Sequence, residues 1–365
     1  MSRSSILRPL LAITLVAACG ASAGGSGPAA VPTSASPEAP ASASPSHPGA
    51  VASAGPGVPE TALGERLEAE IPVPGSPDFP LAAFDSIWVL APDLPLHVDG
   101  EKPYLVRIDP ATNEVLASIE VPDRLCQGFT ASDDAIWLCA ADALVRIDPA
   151  TNTVSGSVPV KGAQLAYRPA FGGGMVWALG SDGMVGDTVL RLDPTTEEVV
   201  SFSASAAAAA MAYGFDALWL ALPNDGTIAR LDPATGEISV VASGLSGPRA
   251  IAIGRDSLWV ALHGGGEDQA AAGDTQVIRI DPTSGNVLAE FEIGGSPQWG
   301  VDLWAADSGI LVRSTDPWLV RIDEATNEIV ETITSDIPVQ GPVTQAFGSI
   351  WTVELERDVV YRISP

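Results

Sequence analysis

This chain has few residues with which to do chemistry. It carries 3 His, 3 Cys and 18 Lys plus Arg against 45 Asp plus Glu, so its formal net charge is 18 − 45 = −27. Such an acidic chain has no electrostatic footprint for nucleic acid, which excludes general DNA or RNA binding. His263 stands in LHGGGEDQ with Glu267 and Asp268 close by. That is the one place where a histidine and a carboxylate could act together as acid and base. No CxxC, HExxH, Walker loop or GxSxG is present, and the Gly264-Gly265-Gly266 run opens no helix that could cradle a phosphate.

The elements that would position these residues come from a repeat. Arg-Ile-Asp-Pro-Ala-Thr-Asn occurs as RIDPATN at Arg107 and Arg146, RLDPTTE at Arg191, RLDPATG at Arg230, RIDPTSG at Arg279 and RIDEATN at Arg321. A truncated RISP starts at Arg362, and the Arg-to-Arg steps are 39, 45, 39, 49, 42 and 41. An aliphatic-Trp segment accompanies each unit at Trp88, Trp137, Trp177, Trp219, Trp259 and Trp351, with Leu311 replacing Trp in the sixth. This period with short strands predicts an all-β fold, a seven-bladed β-propeller of four-stranded antiparallel blades, over residues 62–365. Strands are named A to D from the axis outward. The last unit stops after its C strand, whereas residues 65–73 (ERLEAEIPV) read as a D strand without a unit. The N-terminal strand is therefore expected to complete the last blade and close the ring.

The Asp-Pro-x-Thr-Asn/Gly stretch is turn chemistry: Pro fixes φ, Asp accepts from nearby N–H groups, and Asn or Gly takes φ > 0. These aspartates are not expected to hold metal. The repeat arginines are expected to pack between blades with their heads on carboxylates. The remaining basic residues fall mostly on D–A and B–C loops, on one face of the ring. Arg124, Lys161, Arg168 and Arg249 ring the channel mouth against Asp78, Asp123 and Asp336, with Gln298, Trp299 and Gln340 nearby. These residues are expected to bind a carboxylate or other anionic group, with Trp299 as a stacking surface. The alternative is local pairing of the arginines with B–C acids such as Asp93, Asp187 or Glu354.

The N-terminal residues carry an address. Arg3 and Arg8 precede a short apolar run from Leu10 to Ala18, too short to span a bilayer of roughly 30 Å, so residues 1–18 read as a signal peptide. Val16-Ala17-Ala18-Cys19 resembles the lipobox of bacterial lipoproteins, which implies cleavage before Cys19 and lipidation of its sulfur. Residues 19–61, rich in Ala, Gly, Ser and Pro, read as a lipidated, disordered tether. Export predicts an oxidising compartment. There Cys126 and Cys139, which flank the A–B hairpin of the second blade, are expected to form a cross-strand disulfide.

The repeat units resemble bacterial propellers of the YVTN surface-layer type and of the streptogramin B lyase family. The resemblance covers residues 62–365. The lyases open a cyclic depsipeptide by elimination with Mg²⁺ and a histidine supported by a glutamate, which implies His263 and Glu267 as the catalytic candidates here. The lyase-type histidine-rich pattern is absent, and Mg²⁺ or Ca²⁺ enters only with that chemistry. The leading expectation is a binding or interaction module without an assigned catalytic role or cofactor. It is expected to be a monomer, to be anchored to a bacterial membrane only through lipid, and to face an extracellular small molecule or protein.

Overall fold

The repeat becomes a ring because each B strand is apolar on both faces. In Ser86–Ala91, Ala217–Leu222 and Ser349–Glu354 every residue is buried. A strand with no wet face needs a packing partner on each side, and the neighbouring blades supply it. A computed structural model of the chain describes residues 51–91, 102–122, 125–140, 142–160, 164–181, 186–263, 275–295 and 302–365. These form seven sheets, each with four antiparallel strands. Blade four is representative, with strands Ala210–Gly214, Ala217–Leu222, Thr227–Leu231 and Ile238–Ala242 in that order.

The core sits in the joints. Alternate residues of one B strand serve different neighbours: Ile87 and Val89 pack with Trp351 of blade seven, whereas Trp88 and Leu90 pack with Phe129 and Leu138 of blade two. Equivalent clusters fill the other five joints. Seven tryptophans are almost fully buried. In blade six, where Leu311 replaces the usual Trp, Trp304 on the A strand lies opposite Leu311 in register and packs in the same cluster.

The repeat arginine ties four of the seven joints further. Arg107 donates from Nη1 to the Pro149 carbonyl (2.7 Å) and the Asn152 side chain (3.1 Å) in the turn of blade two, with its guanidinium 5.1 Å from the centre of Trp88. Arg279 does the same with the Glu324 carbonyl and Asn327 of blade six, both at 2.7 Å. Arg362 reaches the Pro110 carbonyl and Asn113 of blade one at 2.7 and 3.1 Å, and Arg191 donates to the Pro233 carbonyl. The expected carboxylate partners exist as well, as in Arg279–Asp256 (2.6 Å) and Arg362–Glu68 (2.9 Å), but the contact between blades is to the turn itself. The C–D register slips directly after the arginine in blades one, two, five and six, a bulge that bends the outer strand there. In each turn the aspartate is consumed by local amides. Asp232 Oδ1 accepts from Ala234 and Thr235, and these N–H groups hold its carboxyl below the usual range.

Closure follows the expected scheme. Leu67–Pro72 pairs antiparallel with Val359–Ile363 and forms the outer strand of blade seven. The tether boundary needs correction. Residues 51–61 do not all belong to a structureless tether, because Val51–Ser53 adds a parallel fifth strand to blade five and Glu60–Ala62 adds one to blade six. Exposed outer strands offer unpaired amides and carbonyls to any extended segment, whatever its side chains.

Ring closure and rim strands should differ sharply in their contribution. Ile71→Asp places a charge in the joint between blades seven and one and is expected to cost about 3 kcal/mol or more. Val51→Asp, at an exposed rim position, is expected to stay within about 0.5 kcal/mol. Urea unfolding of the two variants checks this.

Candidate functional site

The inner strands carry a charged network to the ring axis. Asp78 opens the A strand of blade one, Asp78–Ala83, and accepts a 2.9 Å hydrogen bond from the backbone N–H of Phe79. Phe79 has a positive φ of 50°, which places its ring beneath the guanidinium of Arg168, 5.1 Å from the ring centroid. Arg168 lies on the A strand of blade three, where the register breaks between Ala166 and Ala170. Its Nη1 lies 4.0 Å from Asp302 Oδ1 on blade six. Blades three and six are not neighbours, so this ion pair spans the channel. Asp302 in turn lies opposite Arg313 in register, and Arg313 donates to the Gln340 carbonyl.

One glycine makes room for this arrangement. Gly128 has φ +90°, and a Cβ added there would stand 2.8 Å from Arg168 Cγ. The arginine stem passes over bare backbone of blade two on its way to the axis.

Burial dominates the electrostatics. It pushes the Asp78 carboxyl up to about 6, against the opposing pull of the Phe79 N–H and Arg168. Arg313 is lowered by burial and raised by Asp302 and Asp78. His263 is lowered by burial first and then by Arg249. The network alternates acid and base: Asp78, Arg168, Asp302, Arg313. It can exchange a proton at Asp78 and can offer guanidinium groups to an anion that displaces a carboxylate.

Of the sequence-expected residues, the structure brings Arg168, Asp78 and the Gln340 backbone into one network, and sets Arg249 beside His263. Asp302 was missed, although it occupies the same position in blade six as Asp78 in blade one, at the start of an A strand. Arg168 finds its partner there rather than in Asp93, Asp187 or Glu354. Asp336 does not face the mouth; its carboxylate accepts from the Gly64 N–H at 2.7 Å. Arg124, Lys161, Glu267, Gln298, Trp299 and Cys19 lie outside the described residues, as do the long B–C loops of blades one and five. His263 itself is 3% exposed, and the charged neighbour that lowers it is an arginine. A histidine–carboxylate pair of the lyase kind therefore finds no support there. No group of three or more metal-ligating side chains occurs among the described residues.

Seven four-stranded blades, closed by the N-terminal strand, define a seven-bladed β-propeller. The WD40 propeller domain of Doa1 is similar in fold, with a TM-score of 0.61 at 12% identity over 82% of this chain and 96% of that one. The WD40 domain of Neurospora crassa Pan2 gives 0.59 at 13% identity over 80% and 90%, and the computationally designed Ika8 protein 0.56 at 14% over 82% and 98%. At these identities the likeness is one of fold alone. No family model and no curated protein matches the sequence.

The raised Asp78 carboxyl has a signed consequence. Its folded value lies above its ordinary one of 3.8, so the folded state holds the proton more tightly than the unfolded chain does. This contribution is present below about 4 and is lost as the pH rises to about 6. Asp78→Asn should flatten the decline, read as the difference between wild-type and variant urea midpoints from pH 4 to 7.

Proposed function

We propose that this chain is an exported lipoprotein whose propeller binds a small anionic ligand, of carboxylate type, at the channel mouth. The observation that carries the binding reading is the convergence of Arg168 and Arg313 on the ring axis in a strongly acidic protein, with Arg249 on a neighbouring inner strand. Two of these arginines are held by the carboxylates Asp78 and Asp302, which an incoming anion of better geometry would displace. Protonation of Asp78 removes one competing charge. An anion should therefore bind more tightly below about pH 6 than above it. Succinate titrated calorimetrically at pH 5.5 and 7.5 tests this. Binding at pH 5.5 that weakens at least fivefold at pH 7.5, and falls at least tenfold in Arg168→Ala or Arg249→Ala, is the expected result. Binding unchanged in both variants would remove the proposal.

Export rests on the sequence: the short apolar run, the lipobox-like Val16-Ala17-Ala18-Cys19 and the Ala/Gly/Ser/Pro segment that follows. Lipid on Cys19 would hold a monomeric ring on the extracytoplasmic side of a bacterial membrane. The cysteine pair belongs to the same reading. Leu125 pairs with Ala140, which carries Cys126 and Cys139 along facing strands, and Cys139 is buried in the joint between blades two and three. The Cys126 side chain lies outside the described residues. The purified chain should show no alkylatable thiol at either position before reduction, read by mass spectrometry under denaturing conditions. Two reactive thiols would argue against the disulfide.

A further inference from the structure

Seven copies of one arginine provide an internal control series. Arg107, Arg191, Arg279 and Arg362 each donate to a carbonyl in the turn of the next blade. Arg146 and Arg321 take a carboxylate instead, from Asp134 and Glu331. Every one of these six guanidinium groups holds an oxygen acceptor. Arg230 of blade four does not: among the described residues no hydrogen bond, ion pair or aromatic ring holds it, and Asp232 acts on it only at longer range.

One acceptor is absent by sequence, though that alone does not free an arginine: blade four has Gly236 at the same turn position, and Arg191 still reaches the Pro233 carbonyl there. The turn of blade five has Gly285 where Asn113, Asn152 and Asn327 stand in other turns, so there is no carboxamide to offer. That turn leans on the outer strand of blade four, where a Cβ on Gly285 would stand 1.9 Å from the Val241 carbonyl oxygen. Between the two blades lies a cleft of ≈ 610 Å³, lined by Phe215, Trp219, Arg230, Val240, Pro282 and Ser284 among others. That volume falls in the range of small-ligand sites. Phe215 and Val240 are large apolar side chains left 37% and 53% exposed. The turn acids on either side, Asp232 and Asp281, accept from amides of their own turns.

We propose that this cleft binds a carboxylate carried on an apolar body. The carboxylate takes the place on Arg230 that a turn oxygen or acidic side chain fills at the other joints. A planar guanidinium holds a carboxylate by two parallel N–H···O bonds, which no turn carbonyl can do. The apolar body covers Phe215 and Val240. The cleft lies on the face of the A–B and C–D turns, opposite the channel mouth, and does not depend on the reading given to that mouth.

Two sources share this chemistry, a free acid and a peptide C-terminus. The full chain is titrated at low salt with 3-phenylpropionate, with N-acetyl-Ala-Ala-Phe and with the C-terminal amide of that peptide, followed by calorimetry. At least one of the two acids is expected to bind, and the one that does names the source. The amide is expected not to bind. Arg230→Gln should weaken binding at least tenfold and should leave succinate binding at the channel mouth unchanged. Val240→Glu gives a second variant, at an exposed position, that supplies a resident carboxylate and should block the site. Failure of both acids to bind, or binding that survives Arg230→Gln and Val240→Glu, would overturn the proposal. Binding lost in Arg168→Ala alone would move the acid to the channel mouth and would also overturn it.

Discussion

The constraint that the ring depends on is the B strand with two apolar faces, and at alternate joints an arginine that crosses to the turn of the next blade orients the packing. A single four-stranded blade cannot bury both faces of its B strand, so the blades must associate, but apolar faces alone do not fix how many blades close or at what angle. A guanidinium set on a backbone carbonyl at 2.7 Å, with its face against a tryptophan, fixes distance and direction together. The contact recurs from blade one to two, three to four, five to six and seven to one. Its last instance joins the C-terminal strand to the first repeat turn. Arg362 thus fastens the ring near the point where the N-terminal strand enters it.

The turn residues are selected for this contact as much as for the turn. Asn113, Asn152 and Asn327 adopt positive φ and also present a carboxamide to the preceding blade. Glu324, which replaces Pro in blade six, illustrates the same economy. Its carbonyl serves Arg279, while its carboxylate accepts from the buried indole N–H of Trp259 at 3.0 Å. In blades one, three, four and seven the equivalent indole donates to the A–B turn of its own blade. Blade five therefore relies on blade six for a hydrogen bond that other blades make internally.

Much of this was legible in the sequence because a repeat states the same structural sentence seven times. The period, the buried tryptophans and the orphaned strand at 65–73 were enough for blade number and closure. What escaped has identifiable physical causes. Val51–Ser53 and Glu60–Ala62 pair through their backbones with open edges, so Ala, Ser and Pro around them carry no side-chain signal for it. Asp302 belongs to the unit that lost its tryptophan, and the register by which it matches Asp78 is hard to see there. Arg168 was visible as a loop charge, but its partner lies across the axis, more than a hundred residues away, and no local pattern encodes that. That Arg230 is unpaired among the described residues was hidden by the regularity of the repeat, since its motif, RLDPATG, is the same kind as those around it.

The two short rim strands change how a pull on the N-terminal side would load the ring. Tension arriving at Val51 meets three residues on blade five first, then three on blade six, and only afterwards the strand that closes blade seven. The elements are in series, and the weakest come first. The rim segment is not free of the joints, because Ala52 and Val58 pack against the cluster between blades five and six. The closing strand, whose loss would open the ring, thus lies behind two short pairings on any path from the N-terminal side.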